Sequence, residues 1–221
     1  TDTGEIKLSS KIVKAYLVAG GGNVSDQEVK LFIALCSAQK LNPFIKEAHL
    51  IKYGSSPATM VVSKDVYQKR ADKHPEYQGK KAGIIVLTAE GKIDYRVGTF
   101  YIPSREELVG GWCEVYRKDR EPERVEVSLD EYVGKKKDGT VNAQWSGKPA
   151  TMIRKVAVAQ CLREAFTSEF QGMYVPEEMG VEDTTSNFVV EETPQVHQAI
   201  EATTAPTMQD IINEEKQAEP V

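Results

Sequence analysis

The chain has 221 residues, 40% of them apolar, a net charge of −5 and three cysteines. That is enough apolar material for one large core or two small ones. The cysteines (Cys36, Cys113 and Cys161) are far apart and form no C-x-x-C, which argues against a disulfide-framed module and for reduced thiols in a cytosolic compartment.

Residues 5 to 19 carry a helical pattern (Ile6, Ile12, Val13, Tyr16, Leu17) that stops at the Gly20-Gly21-Gly22 hinge. Ser25 and Glu28 form a capping box opening the helix VKLFIALCSAQKL, which should end before Asn42-Pro43. EAHLIKY and ATMVVS read as a first hairpin across Gly54 to Pro57, followed by a short helix, KDVYQKRADKH. A second hairpin pairs KAGIIVLT with KIDYRVGTFY, and a third pairs GGWCEVYRK with ERVEVSL. After the basic loop GKKKDGT comes Trp145 and a helix over 149 to 166 started by Pro149. The apolar runs, such as KIVKAYLVAGGG, are short and broken by lysine, so neither a membrane span nor a secretory signal is expected.

The fold class expected is α+β, with antiparallel hairpins packed on a long core helix, helices at the N-terminus and an acidic, disordered C-terminal tail. Three regions follow: 1–22 as an N-terminal helix and hinge for oligomerisation, 23–180 as the working core, and 181–221 as the tail. The tail holds nine of the 33 acids and one of the 28 bases, which leaves 24 acids and 27 bases upstream. A slightly basic body can therefore meet a polyanion despite the net negative charge.

Enzyme signatures are missing. His49, His74 and His197 stand far apart, and there is no G-x-x-x-x-G-K-[ST], G-x-S-x-G or H-E-x-x-H. No catalytic residue, metal ligand or cofactor is assigned; magnesium could enter as a counterion to a polyanion. A metal-dependent nuclease built from scattered acids and a purely structural oligomeric scaffold are the alternatives to a binding protein.

Cations beside rings recur instead: Lys52-Tyr53, Tyr67 with Lys69 and Arg70, Tyr95-Arg96, Tyr116-Arg117-Lys118, and Trp145 near Lys148. Phosphate-seeking charge next to a flat ring suits a single-stranded nucleic acid. The helix over 149 to 166 adds Arg154, Lys155 and Arg163 to an all-round apolar surface, with no acid three or four residues away. Their partner is either an acid from the strands, such as Glu114 or Glu126, or a phosphate. Arg154 and Arg163 project about 180 degrees apart at the helical period, so one should bind and the other brace.

The stretches LNPFIKEAHLIKYG (41 to 54), PATMVVSKD (57 to 65), LVGGWCEVYRKD (108 to 119), WSGKPATMIRKVAVAQCLREAFT (145 to 167) and GMYVPEE (172 to 178) resemble the RecT/Bet family of phage single-strand annealing recombinases. The nearer likeness is to the RecT branch of Gram-positive prophages, and the lambda Bet protein is more distant. The resemblance implies an ATP-independent protein of the bacterial cytoplasm that coats single-stranded DNA, anneals complementary strands in homologous recombination and forms rings or helical filaments. It also implies work beside a phage exonuclease; residues 200–221, with Met208, Ile211 and Ile212 at helical spacing, could dock that enzyme or a host single-strand binding protein. The candidate DNA-binding set is Lys52, Lys64, Lys69, Arg70, Arg96, Arg117, Lys118, Trp145, Lys148, Arg154, Lys155 and Arg163.

Overall fold

The computed structural model describes residues 4–136 and 138–180. The tail from 181 onward, with the docking segment expected at 200–221, lies outside the described residues.

At the N-terminus a single turn of helix, α1 (Ser10–Ile12), continues as a π-helical turn over Val13–Leu17 and ends in a two-residue strand, β1 (Val18–Ala19). This is shorter than the helix expected over 5 to 19. Val18 and Ala19 pair in parallel with Leu50 and Ile51, so the chain gives up helical bonds for sheet bonds before it reaches the glycines. Gly20 (φ 89°) then turns against that strand, where a Cβ would stand 2.5 Å from the Lys52 carbonyl oxygen. Only glycine takes that conformation with nothing to displace.

Helix α2 (Asp26–Ala38) has the expected capping box: Glu28 N–H donates to Ser25 Oγ at 3.2 Å and Ser25 N–H to Glu28 Oε2 at 2.7 Å. Strands β2 (Ala48–Ile51) and β3 (Thr59–Val62) form the first hairpin and, with β1, a three-stranded sheet in the order β1-β2-β3. Ser63 caps α3 (Lys64–Lys73), the helix expected there.

The other two hairpins are β4 (Tyr77–Thr88) with β5 (Ile93–Val97), and β6 (Glu106–Arg117) with β7 (Glu123–Ser128). Hairpin logic does not say how they meet. Strands β4 and β6 pair antiparallel from Tyr77 opposite Arg117 to Thr88 opposite Glu106, giving one four-stranded sheet, β5-β4-β6-β7. Two short helices, α4 (Leu129–Tyr132) and α5 (Ala143–Gly147), lead to α6 (Pro149–Ala165), and α7 (Thr167–Phe170) follows.

Helix α6 is the centre of the molecule. It lies on β4, β6 and β7, with α3, α4 and α5 against its other sides, which is why its apolar residues surround the axis rather than form a stripe. Gly111 of β6 allows the contact, since a Cβ there would stand 2.7 Å from the Ile153 carbonyl oxygen. The architecture is α+β, with antiparallel hairpins on a long core helix as expected.

Candidate nucleic-acid interface

The cations of the described fold differ in what holds them. One that meets a carboxylate is a neutralised pair; one held by a carbonyl or amide oxygen is oriented but keeps its charge for an outside anion.

Most of the sequence-predicted set is of the first kind. Lys52 Nζ donates to both Glu28 oxygens at 2.8 and 2.9 Å, and Lys69 Nζ to Glu47 at 2.8 Å. Arg96 meets Glu106 and, at 3.0 Å, Asp94; Lys64 meets its neighbour Asp65. Arg117 forms a two-point pair with Asp119, both bonds 2.7 Å, while its plane covers the Phe166 ring at 4.5 Å.

On α6 the division of labour is clear. Arg163 Nη2 and Nη1 donate to Glu178 at 2.6 and 3.1 Å, Nη1 also to the Met173 carbonyl at 3.2 Å, and the guanidinium lies over Tyr174 at 4.8 Å. Lys155 Nζ donates to Glu177 at 2.7 Å. The acids come from the turn after α7, not from Glu114 or Glu126, because the chain doubles back along α6 and buries Met173 and Val175 beside it. Glu114 and Glu126 instead pair with Arg124. Arg154 is different: its Nε donates to the Ala82 carbonyl at 3.4 Å and it pairs with no described carboxylate. Of the two opposed arginines, Arg163 braces and Arg154 keeps its charge.

Lys80 of β4 joins Arg154, its ammonium held by the Gln68 side-chain oxygen. Burial holds its pKa below the usual lysine range, and the Arg154 and Lys64 charges push the same way. Lys80 and Arg154 thus gather with the Lys64–Asp65 pair, and Asp72 acts on Lys80 from the same neighbourhood.

Beside α3 lies a groove. A cavity of about 480 Å³ contains Lys40, Lys69, Arg70, Lys73 and His74, and one of about 290 Å³, sharing His74, Ser168 and Glu169 with it, adds Arg117 and Arg120. Together they present six Lys and Arg side chains against three glutamates, Glu47, Glu164 and Glu169. Arg70 binds Gln39 Oε1 at 2.9 Å and the Glu169 carbonyl at 2.7 Å. Arg120 caps the last turn of α6 through the Ala165 carbonyl, and at the rim Lys118 Nζ donates to the Pro75 carbonyl at 2.7 Å. Four cations are therefore held by neutral oxygens and paired with no described carboxylate: Lys80, Lys118, Arg120 and Arg154. Lys148 is exposed between α5 and α6.

Of the rings in the predicted pairs, Tyr95 lies under Arg124 and Tyr116 under Lys81, but two go elsewhere. Trp145 is 1% exposed and Tyr67 lies stacked on Phe170 at 5.0 Å, both inside the core. Helical neighbours diverge in direction, so Tyr67 points in while Lys69 points out. In the groove Phe166 is buried between Arg117 and His74, whose ring centroid is 4.4 Å from its own. The sequence-predicted set does not include Lys40, Lys73, Lys80 and Arg120, which the fold brings to the same basic surfaces. Only Lys73, on one face of α3 with Lys69 and Arg70, carried a local signal.

Among the described residues, no three His, Cys, Asp or Glu side chains gather as metal ligands, and no helix is long and apolar enough to cross a membrane.

No curated protein matches the chain. A family model does: that of the RecT family, over residues 3–191. With its match running through the sheet, α6 and the basic surfaces on either side of α3, the chain belongs to the RecT family, whose members bind single-stranded DNA and anneal it in recombination.

Proposed function

We propose that this protein anneals complementary DNA strands without nucleotide hydrolysis, holding one strand by its phosphates along the two basic surfaces that flank α3. The observation that carries the reading is the group of cations held by neutral acceptors rather than carboxylates, Lys80, Lys118, Arg120 and Arg154. A phosphate can add to such a cation without first displacing a carboxylate, so binding releases counterions at little structural cost.

Backbone contact leaves base edges free, and contacts to phosphate carry no sequence information. A second strand then tests pairing against an extended template. Each stacked step contributes about 1.4 kcal/mol, so pairing itself drives the reaction. Rows of subunits, as rings or helical filaments, would extend the template; magnesium would act as a counterion only. The reading places the protein in the bacterial cytoplasm, with residues 200–221 meeting an exonuclease or a host single-strand binding protein.

The test is a salt titration of oligonucleotide binding. Arg154→Ala and Arg120→Ala should each lower the slope of log K against log salt by about one unit, equally for unrelated sequences. Unchanged slopes in both would remove these surfaces from the DNA contact. Annealing of complementary oligonucleotides should proceed with no nucleotide added.

A further inference from the structure

The four-stranded sheet ends at β5, and that edge is open. Among the described residues β5 pairs with β4 alone. The ladder bonds to β4 fall at even positions: Thr88 N–H donates to the Lys92 carbonyl at 2.8 Å and Gly98 N–H to the Ala82 carbonyl at 3.0 Å. By antiparallel alternation the N–H and C=O groups of Ile93, Tyr95 and Val97 therefore point away from the sheet.

Native edges are usually blunted by lysine, proline, a bulge or a covering segment. Here the β3 edge is covered and the β7 edge is charged. Val62 N–H of β3 donates to the Tyr174 carbonyl at 2.8 Å, and β7 carries Glu123, Arg124 and Glu126. Within β5 there is no lysine, proline or bulge, and its two charges, Asp94 and Arg96, are opposite in sign. Ile93 is 54% exposed and Val97 72%, and Phe100 just beyond is 77% exposed.

The strand reads Ile-Asp-Tyr-Arg-Val, which matches its own reverse in chemical type. Set antiparallel to a second copy about Tyr95, Ile93 meets Val97 and Asp94 meets Arg96, twice each by symmetry. Asp94 and Arg96 share one face, pair with each other at 3.0 Å and are about half exposed, so in a dimer the two copies would share these charges across the ladder. Opposite charges and aliphatic pairs directly across an antiparallel ladder are both favourable.

We propose that β5 pairs with β5 of a second copy of this chain across a two-fold axis at Tyr95, joining two four-stranded sheets into one. The inference deepens the self-association in the proposed function by giving it a surface, and rests on that reading only for its biological use. An isologous contact closes at two copies, so a ring or filament would be a row of such dimers joined through another surface.

Cysteine cross-linking tests the register. Tyr95→Cys puts its Cα about 5.5 Å from its symmetry mate, within disulfide reach. Lys92→Cys stands about 20 Å from its own copy at the strand rise. The native Cys36, Cys113 and Cys161 are buried. With diamide, Tyr95→Cys should give a covalent dimer and Lys92→Cys none; no dimer from the first, or equal yields from both, overturns the proposal. In sedimentation, Val97→Lys should run at the 24.5 kDa monomer mass. Asp94→Lys and Arg96→Glu should each do the same alone and re-form the dimer when mixed. Arg96→Glu loses its Glu106 contact; if that chain does not fold, the cross-link and Val97→Lys decide. Oligonucleotide binding is followed in parallel: wild-type chain that binds none sinks the annealing reading, whereas absent dimer beside intact binding sinks the strand pairing alone.

Discussion

Arg154 and Arg163 are the same residue type on the same helix, and their surroundings give them opposite work. Arg163 is largely buried against Glu178, so removing the acid leaves an uncompensated charge. Glu178→Ala should cost about 3 kcal/mol in urea unfolding, the low end for a broken buried pair, because the Met173 carbonyl and Tyr174 remain. Arg154→Ala should change stability by about 0.5 kcal/mol or less and act on DNA binding instead. Glu28 belongs to the same scale. Lys52, then the Ser25 and Ala58 N–H groups, hold its carboxyl at about 2, against 4.5 for an unperturbed glutamate. Its ionised form is favoured in the folded state, so this stabilisation is complete above about pH 4.5 and fades as pH falls towards 2. Glu28→Gln should flatten the acid limb of a stability–pH curve in that window, as read by thermal melts at each pH.

At the scale of elements, the tight seat of α6 on β6 is the feature most open to attack. Gly111→Ala would push a methyl against the Ile153 carbonyl at 2.7 Å, with the carbonyl carbon 3.0 Å away, and neither is the end of a flexible side chain. The expected loss is about 1–3 kcal/mol, seen as a lower urea midpoint. Because Arg154 follows Ile153, the same change should also weaken oligonucleotide binding, whereas an exposed substitution such as Thr151→Ala should do neither. Elements were also what local pattern described best: the capping box of α2, α3, three hairpins and α6 stand where the period and turn residues put them. The N-terminal helix is the exception. Its apolar spacing suited a helix to residue 19, but the edge of β2 offered Val18 and Ala19 a strand partner that no local pattern encodes.

For the whole molecule, charge is divided between a slightly basic body and an acidic tail. From Val181 onward there are nine acids and one base. Deleting residues 200–221 should spare annealing of naked oligonucleotides and impair annealing of strands coated with single-strand binding protein; equal rates on both would refute a docking role for the segment. Binding should weaken steeply with added salt, since the proposed contact is between phosphates and cations that have no carboxylate partner.

The sequence by itself determined α2, α3, the three hairpins and α6, the family resemblance, and cations on α6 with no acid three or four residues away, because these depend on residue type and spacing over a few turns. It could not say which cation stays available. Glu177 and Glu178 lie over a dozen residues from the cations they clasp, and the acids chosen from the strands, Glu114 and Glu126, pair with Arg124 instead. Only the tertiary fold decided that, by returning the chain along α6, and only the fold brought Lys40, Arg70 and Arg120 from three separate segments to one groove. Ion pairing and groove formation depend on distance in space, and distance in space is set by how β4 meets β6, a long-range pairing that no local window contains.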